Sequence, residues 1–297
     1  MNWDRIERLF GGDVLDHLQR QTVGIIGLGS GGSFVAVSLA MSGVGRFILI
    51  DDDLVGVTNV VRHAADLRDV GQPKVEAVAH LIRQRNPRAD VQAVAGRIED
   101  HLDLLPAMQI VVAGVDNERP KFAINQACLA ADRVAIYAGV YERGEGGDVS
   151  LIYPGDGPCY ACWAERLREG VTSAPPEGEL DYGMIDADGT LKAEPALWLH
   201  VVRVAAAQAD MTLNQLLRET DAYRAPPANT VVLANTYLEV YEGETTLPYS
   251  AEWIQVPRNP HCLVCGPLHA NVADEAAALS LDELAGMGNV TLEDNES

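Results

Sequence analysis

Between residues 22 and 152 short apolar runs alternate with longer stretches whose apolar positions recur every three or four residues. TVGIIG (22–27) predicts a buried strand, because a β-branched run ending in glycine suits a chain segment covered on both sides. A small-residue helix is predicted over 31–42, and RFILID (46–51) is the second strand. In GQPKVEAVAHLIRQRNP the spacing is helical, with Pro73 suited to the start and Asn86-Pro87 to the end. DVQAVAG predicts a third strand. QIVVAGV (109–115), almost wholly apolar, predicts a fourth that is covered on both faces. Residues 118–131 read as a helix and VAIYAGV (134–140) as another strand. The alternation predicts an α/β, Rossmann-like fold, a largely parallel sheet with helices on both faces.

Beyond residue 146 the pattern changes. Residues 147–153 predict a strand that leads into a pair of cysteines. Residues 166–189, rich in Gly, Pro and charge, predict a long, mobile surface loop, and loops of this length are usually functional. EPALWLHVVRVAAAQADMTLNQLLRE predicts a long Ala-rich helix, and TVVLAN, TYLEVYEG and AEWIQVP predict antiparallel strands. The expected organisation is one domain over 1–270, with a nucleotide-binding half at 20–150 and an antiparallel half at 151–270. A loosely held tail follows at 271–297, which carries seven acids and no Lys or Arg.

Charge narrows the partners. Among 297 residues, 43 acids against 22 Lys and Arg give a net charge of −21. Such a field repels phosphate backbones, so nucleic acid is not an expected partner. It would attract a basic protein, although solubility alone is the blander account. No uncharged apolar run reaches the roughly 18 residues of a membrane span. The charged opening MNWDRIERLF lacks the apolar core of a secretory signal, so no membrane partner and a cytoplasmic location are expected.

The candidate chemistry begins at GLGSGGS. Gly27, Gly29 and Gly32 satisfy G-x-G-x-x-G between a strand and a helix. The first permits a tight turn, the second lets a phosphate approach the backbone, and the third lets helix and strand pack closely. Ser30 and Gly31 complete the loop, and the helix start offers N–H donors to phosphates. Asp51 closes the second strand, where a carboxylate accepts from ribose hydroxyls; Asp53 lies in the same acidic tip. Thus far NAD, FAD and ATP fit equally. The following residues shift the balance. Asn59, Arg62 and Lys74 add donors and cations beyond what hydride transfer needs, and suit a reaction that builds charge on a phosphate. Asp116 ends the fourth strand facing the same crevice, where a carboxylate can hold Mg²⁺, with Asn117 beside it. Singly, each could be an exposed ion pair or a helix cap.

Four of the five cysteines fall in two pairs, Cys159/Cys162 and Cys262/Cys265. Two C-x₂-C units match a tetrahedral structural zinc site, here joining distant parts of the chain. Disulfides or a redox pair are the competing readings, and disulfides are disfavoured in a cytosolic chain. Cys128, among apolar neighbours in a helix, reads as core.

Together GLGSGGS, ILIDDDLVGVTNVVRH, DVGQPKVEA, VAGVDNERPKFAINQAC and the paired cysteines resemble the ubiquitin-activating-enzyme-like adenylyltransferases, the group of ThiF, MoeB and HesA. The resemblance covers most of residues 3–268, with the motifs in order. It implies that Gly27, Gly29, Ser30, Gly31 and Gly32 wrap the ATP phosphates and that Asp51 holds the ribose. Asn59, Arg62 and Lys74 would surround the reacting phosphate, and Asp116 would position Mg²⁺. Arg5, in WDRIERLFG, matches an arginine that reaches the partner subunit's site in a homodimer; Ile6 stands where glutamine is usual. Lys121 stands where the family often has arginine, which loses bidentate geometry. The family's zinc cysteines occur at these same places.

The implied reaction is adenylation of the C-terminal carboxylate of a ubiquitin-like or sulfur-carrier protein ending in Gly-Gly, with release of pyrophosphate. No cysteine lies between Cys162 and Cys262, so a loop thioester is not expected. The acyl-adenylate would pass to a partner's sulfur or amine, making a separate sulfur donor or a conjugating enzyme a further partner. Three alternatives remain: an NAD-dependent oxidoreductase on the same loop, a family member that modifies a peptide or tRNA, and a scaffold that binds nucleotide without turnover. Molybdopterin synthesis, thiamine synthesis and a bacterial conjugation or defence system all remain open as pathways.

Overall fold

A computed structural model describes residues 2–167, 184–185, 191–192, 196–241 and 244–266. Most of the loop predicted over 166–189 and the whole tail 271–297 lie outside the described residues. The predicted strands form β1 (Thr22–Ile26), β2 (Arg46–Asp51), β3 (Asp90–Ala95), β4 (Ile110–Ala113), β5 (Val134–Val140) and β6 (Gly146–Ile152). Beyond them come a short pair, β7 (Met184–Ile185) with β8 (Leu191–Lys192), then β9 (Thr230–Ala234), β10 (Leu238–Tyr241), β11 (Glu244–Thr246) and β12 (Ala251–Ile254).

Among the described residues, eight strands make the main sheet in the order β12-β9-β6-β5-β4-β1-β2-β3. From β3 to β5 neighbouring strands run parallel. From β5 to β12 they run antiparallel. The antiparallel half is therefore a continuation of the first sheet. An open edge at β5 would leave a row of unpaired N–H and C=O groups, and β6 covers it. Among the described residues, β10 with β11 and β7 with β8 stand apart as two small antiparallel pairs.

Two cores flank the sheet, and the period-2 geometry of a strand sorts each residue into one of them. Val23 and Ile25 of β1, Phe47 and Leu49 of β2, and Ile110 and Val112 of β4 face one core. Helices α3 (Ser30–Met41), α4 (Lys74–Arg85) and α7 (Trp198–Leu216) fill that side through Val35, Leu39, Val75, Ile82 and Val204. The alternate residues Ile26, Ile48, Ile50 and Val111 face the other core, with Phe122 and Cys128 of α5 (Glu118–Ala131) and Trp163 of α6 (Tyr160–Leu167). Double coverage is why the strands read as near-continuous apolar runs. Three helices were not foreseen: α6, and the two N-terminal helices α1 (Asp4–Phe10) and α2 (Gly12–Arg20), which break at Gly11.

Candidate nucleotide site and cysteine cluster

The first strand's neighbours diverge in sequence: β2 lies on one side of β1 and β4 on the other. The loops after β1 and β4 therefore part above the sheet and leave a crevice at the carboxyl ends of the strands, the usual ligand position in such folds. Gly27 turns there with φ +86°, its N–H donating to the Ile50 carbonyl at 2.8 Å. A Cβ on Gly27 would stand 2.7 Å from the Gly114 backbone, and one on Gly32 would strike the Gly27 carbonyl oxygen. Gly29 has nothing within 4 Å of its Cβ position. The turn and the close-packing roles are thus visible in the fold, and the space at Gly29 is where a phosphate would come close. Helix α3 starts at Ser30 with Gly29 as its cap and no side-chain capping bond. Its first N–H groups remain available to an anion, at the positive end of the helix dipole.

Beneath this loop lies a layer of buried polar groups. Asp51 Oδ2 accepts the Leu28 N–H at 2.6 Å and Oδ1 accepts the Asp53 N–H at 2.9 Å. Burial holds the Asp51 carboxyl above the ordinary carboxylate range, partly offset by the Leu28 hydrogen bond and the Lys74 charge. Asp51 thus shapes the loop as well as offering a ribose acceptor. Lys74 is buried, and its Nζ meets Asp53 Oδ2 at 2.5 Å and Asp51 Oδ1 at 3.9 Å. The lysine and the acidic tip were predicted separately as ligand groups; the structure binds them to each other. His63, next to Arg62, is a member of this layer that sequence reasoning missed. It is buried, and its Nε2 sits 2.6 Å from the Leu28 carbonyl oxygen.

The rim carries the charges. Asn59 and Arg62 belong to a 3-10 segment, Val57–Arg62, that follows the acidic tip. Asn59 Oδ1 accepts the Gly56 N–H at 2.9 Å. Arg62 is exposed and makes no ion pair among the described residues. Asp116 and Asn117 are exposed between β4 and α5, two and three residues past Gly114, whose backbone packs on Gly27 and Gly32. Arg62 thus adjoins in sequence a segment tied to the loop at Leu28, and Asp116 one packed on it at Gly114. Arg5 adjoins neither. It lies exposed on α1, whose Ile6 approaches Gly43 beyond the C-terminal end of α3, while the glycine loop is at the other end of that helix.

On the opposite face of the sheet, Cys159 Sγ lies 3.8 Å from Cys162 Sγ and 3.7 Å from Cys262 Sγ, and Cys162 Sγ lies 3.5 Å from Cys265 Sγ. All four sulfurs fall within 4.8 Å of one another. A zinc–sulfur bond of about 2.3 Å in a tetrahedron gives sulfur–sulfur edges of about 3.8 Å, so the donor set fits zinc. The Val264 N–H points at Cys262 Sγ at 3.4 Å, and the Gly266 N–H donates to the Cys262 carbonyl at 2.8 Å. The crowded sulfurs split in acidity: hydrogen bonding from Cys159 pulls Cys162 down to about 4, and the same contact pushes Cys159 up. Four sulfurs this close suit a cation, whose binding would displace the protons that burial otherwise favours.

Tyr160 ties this cluster to α5. Its O–H donates to Glu118 Oε2 at 2.8 Å and its N–H to Asn125 Oδ1 at 2.9 Å. Glu118 Oε1 in turn holds Lys121 Nζ at 3.1 Å, with both residues buried. Lys121 therefore serves the interior rather than the rim. Cys128 is buried, and burial alone pushes its thiol up to about 12, so it is a core residue and not a nucleophile.

Fold and site together define a Rossmann-like domain with four cysteines gathered where they could hold one metal ion. Comparison with known proteins makes the class specific. The ThiF family pattern matches residues 4–264, and the chain belongs to the ThiF family. It is similar to the ubiquitin-like modifier-activating enzyme 5 of Gallus gallus, 32% identical over 48% of this chain and 39% of that protein. It is also similar to the molybdopterin-synthase adenylyltransferase of Escherichia coli, 26% identical over 88% of this chain and 93% of that protein. Among solved structures, E. coli MccB with ATP aligns over 89% of this chain and 75% of that one, with a TM-score of 0.65 and 24% identity, a likeness of fold. The chain spans only 39 to 41% of the length of the modifier-activating enzymes it matches in chicken and silkworm. No helix among the described residues is long and apolar enough to cross a membrane.

Proposed function

We propose that this protein is an ATP-dependent adenylyltransferase acting on the C-terminal carboxylate of a ubiquitin-like or sulfur-carrier protein that ends in Gly-Gly. The observation that carries the reading is the open, backbone-lined loop at Gly29, with exposed Arg62 and exposed Asp116 on the two segments that pack against it. A cation and a carboxylate left unpaired beside such a loop would suit a polyphosphate with its metal. Hydride transfer would require neither. Matches to relatives named as adenylyltransferase and as modifier-activating enzyme support the same conclusion.

In the reaction a carboxylate oxygen of the carrier attacks the α-phosphorus of ATP, and the bond to the β-phosphate oxygen breaks. The products are an acyl-adenylate and pyrophosphate. The carboxylate is already ionised, so no side-chain base is required. The chain's work is positioning and charge stabilisation. The start of α3 and the loop N–H groups would receive the phosphates, with Arg62, Asn59 and Lys74 beside the reacting centre. Asp51 would hold the ribose. Asp116, with Asn117 beside it, would hold Mg²⁺, which supplies charge neutralisation. Arg5 lies far along α3 from its own loop, which supports a role at the partner's site of a homodimer. The four cysteines would hold one zinc as a structural clip.

For the carrier's globular body the second-half strands offer apolar surface. Tyr237, Leu247 and Tyr249 are 69%, 65% and 80% exposed, and the Tyr249 N–H donates to the Ala234 carbonyl at the end of β9. Strand β9 runs in the same direction as β5, so this patch shares the carboxyl edge with the crevice. ATP–pyrophosphate exchange tests the whole reading. Exchange is expected only when a cognate Gly-Gly protein is present. Tight binding of a nicotinamide dinucleotide with no affinity for ATP would replace it with the oxidoreductase, and exchange driven by a short peptide or a tRNA would reassign the substrate.

A further inference from the structure

Resting on the nucleotide reading above, we infer that His63 is a positioning residue, a neutral imidazole that latches the glycine loop to the segment carrying Asn59 and Arg62. Leu28 lies within the glycine loop, between Gly27 and Gly29. Its N–H donates to Asp51 Oδ2 at 2.6 Å, and its carbonyl accepts from His63 Nε2 at 2.6 Å. On the other edge of the ring, His63 Nδ1 lies 2.9 Å from the Ala65 N–H. A backbone N–H can only donate, so Nδ1 is the acceptor and the proton sits on Nε2, which alone can then serve the Leu28 carbonyl. One tautomer of the neutral ring satisfies both contacts. A second tie runs alongside, from the Ala64 N–H to Ser33 Oγ at 3.3 Å on α3.

Two consequences follow for the phosphate site. Asp51 fixes the Gly27–Leu28 peptide through the Leu28 N–H, and His63 fixes the next peptide through the Leu28 carbonyl, which sets the direction of the Gly29 N–H in that same plane. Arg62 is the immediate neighbour of His63, so anchoring the ring anchors the root of an otherwise exposed cation. Loose placement of such groups weakens an anion site even when every residue is present. Protonation would spend the Nδ1 lone pair and turn an acceptor into a donor facing the Ala65 N–H. The charged groups that face the ring are Lys74 from the start of α4, Asp51 from the end of β2 and Asp69 from the turn before α4. Burial, joined by the Lys74 charge, holds His63 below the ordinary histidine range, so the latch is closed at neutral pH.

Amide hydrogen exchange on the full chain, with equilibrium ATP binding alongside, tests the latch. Glutamine places an amide where Nε2 stands and can still donate to the Leu28 carbonyl; asparagine places its group nearer Nδ1 and cannot. His63→Asn is expected to speed exchange in the peptide over 27–33 at least tenfold and to weaken ATP binding about tenfold. His63→Gln is expected to stay within about threefold of the parent in both. Unchanged exchange in His63→Asn overturns the inference, and so does equal loosening in both variants, which would make the ring mere packing. The exchange arm is read without nucleotide. A parent chain that ignores ATP therefore refutes the adenylation reading, while the latch is still decided by the two variants.

Discussion

At the cysteine cluster the ligand atoms already stand close enough for one metal, with three sulfur–sulfur contacts of 3.5 to 3.8 Å, all four sulfurs within 4.8 Å and three of the four residues buried. At the glycine loop the opposite holds. Its buried groups, Asp51, His63 and Lys74, bond to the protein, and the groups with spare capacity, Arg62 and Asp116, are exposed. A structural ion is part of the fold, so its donors must be complete when the chain has folded. A substrate phosphate comes and goes, so its partners must remain uncompensated between turnovers. Buried charge is tolerated only when paired, and for this reason the second site puts its free charges at the rim and its paired ones underneath. The contrast predicts that damage to the first region shows as lost stability and damage to the second as lost rate.

The largest effect is expected from Cys162→Ser. It removes one thiolate from each of two close contacts, to Cys159 and to Cys265. Structural zinc contributes about 10–16 kcal/mol in small peptides, and a sizeable part should be lost from a clip that joins residues a hundred apart in sequence. Metal analysis should fall from about one zinc per chain to near zero, with a large drop in the urea midpoint. A parent protein that carries no zinc as purified, or a variant of unchanged stability, would break the comparison at its first term.

Arg62→Ala and Asp116→Ala come next and should behave inversely. Each is expected to lower ATP–pyrophosphate exchange by about 10²–10³, the usual scale for removing one charge-stabilising group. Both side chains are exposed, so the melting temperature should hardly move. Parent-like exchange in either variant would remove the assigned role. A large fall in stability would show that the rim is structural after all.

How much of this contrast is readable beforehand depends on whether a signal is local. The strands from β1 to β5 and the helix starts at Pro73 and Glu118 follow from apolar runs and turn residues close in sequence. The glycine loop is equally visible, since its three roles need three spacings within six residues. The cysteine pairs announce a metal, although not the sheet face they lie on. His63, by contrast, gains its partner Leu28 across 35 positions, and a lone histidine after Arg62 carries no periodic mark. The Glu118–Lys121–Tyr160 contacts hide for the same reason, because Tyr160 and Glu118 are 42 positions apart and Lys121 reads as one more cation. Lys74 and the acidic tip are each legible as charges. Their mutual pairing depends on a bridge between Leu54 and Pro73 that folds the intervening segment back.

A middling effect sharpens the border between the regions. Tyr160→Phe deletes the donor to Glu118 Oε2 and leaves a buried carboxylate one hydrogen bond short. Loss of a hydrogen bond to a charged group costs about 1.5–3 kcal/mol. Zinc content should stay at one per chain because the cysteines are untouched. A Glu118→Gln partner mutation should reduce the cost, since a neutral amide tolerates the missing donor better, and a double-mutant cycle in urea would measure the coupling. Additive effects would mean that the cluster and α5 are energetically separate.

The smallest expected effect comes from acidification and concerns His63. Its folded-state pKa lies below the ordinary value of 6.5, with burial as the largest cause. As pH falls below 6.5 the unfolded chain binds a proton at this position while the folded chain does not, so acid draws the equilibrium toward unfolding. The loss continues down to the lowered folded value and then stops. One proton sets the limit at about 1.4 kcal/mol per pH unit. Asp51 acts in the other direction: burial raises its carboxyl above 3.8, so it adds stability as it protonates and that gain is lost as pH rises through its folded value. Urea midpoints for the parent and for His63→Gln, taken across pH 7.5 to 5, isolate the histidine. The parent's stability should decline faster, and the difference between the two curves should vanish above about pH 7. Parallel curves throughout would mean that the ring takes up its proton in the folded state without opposition, and that the layer under the glycine loop is wetter than its burial implies.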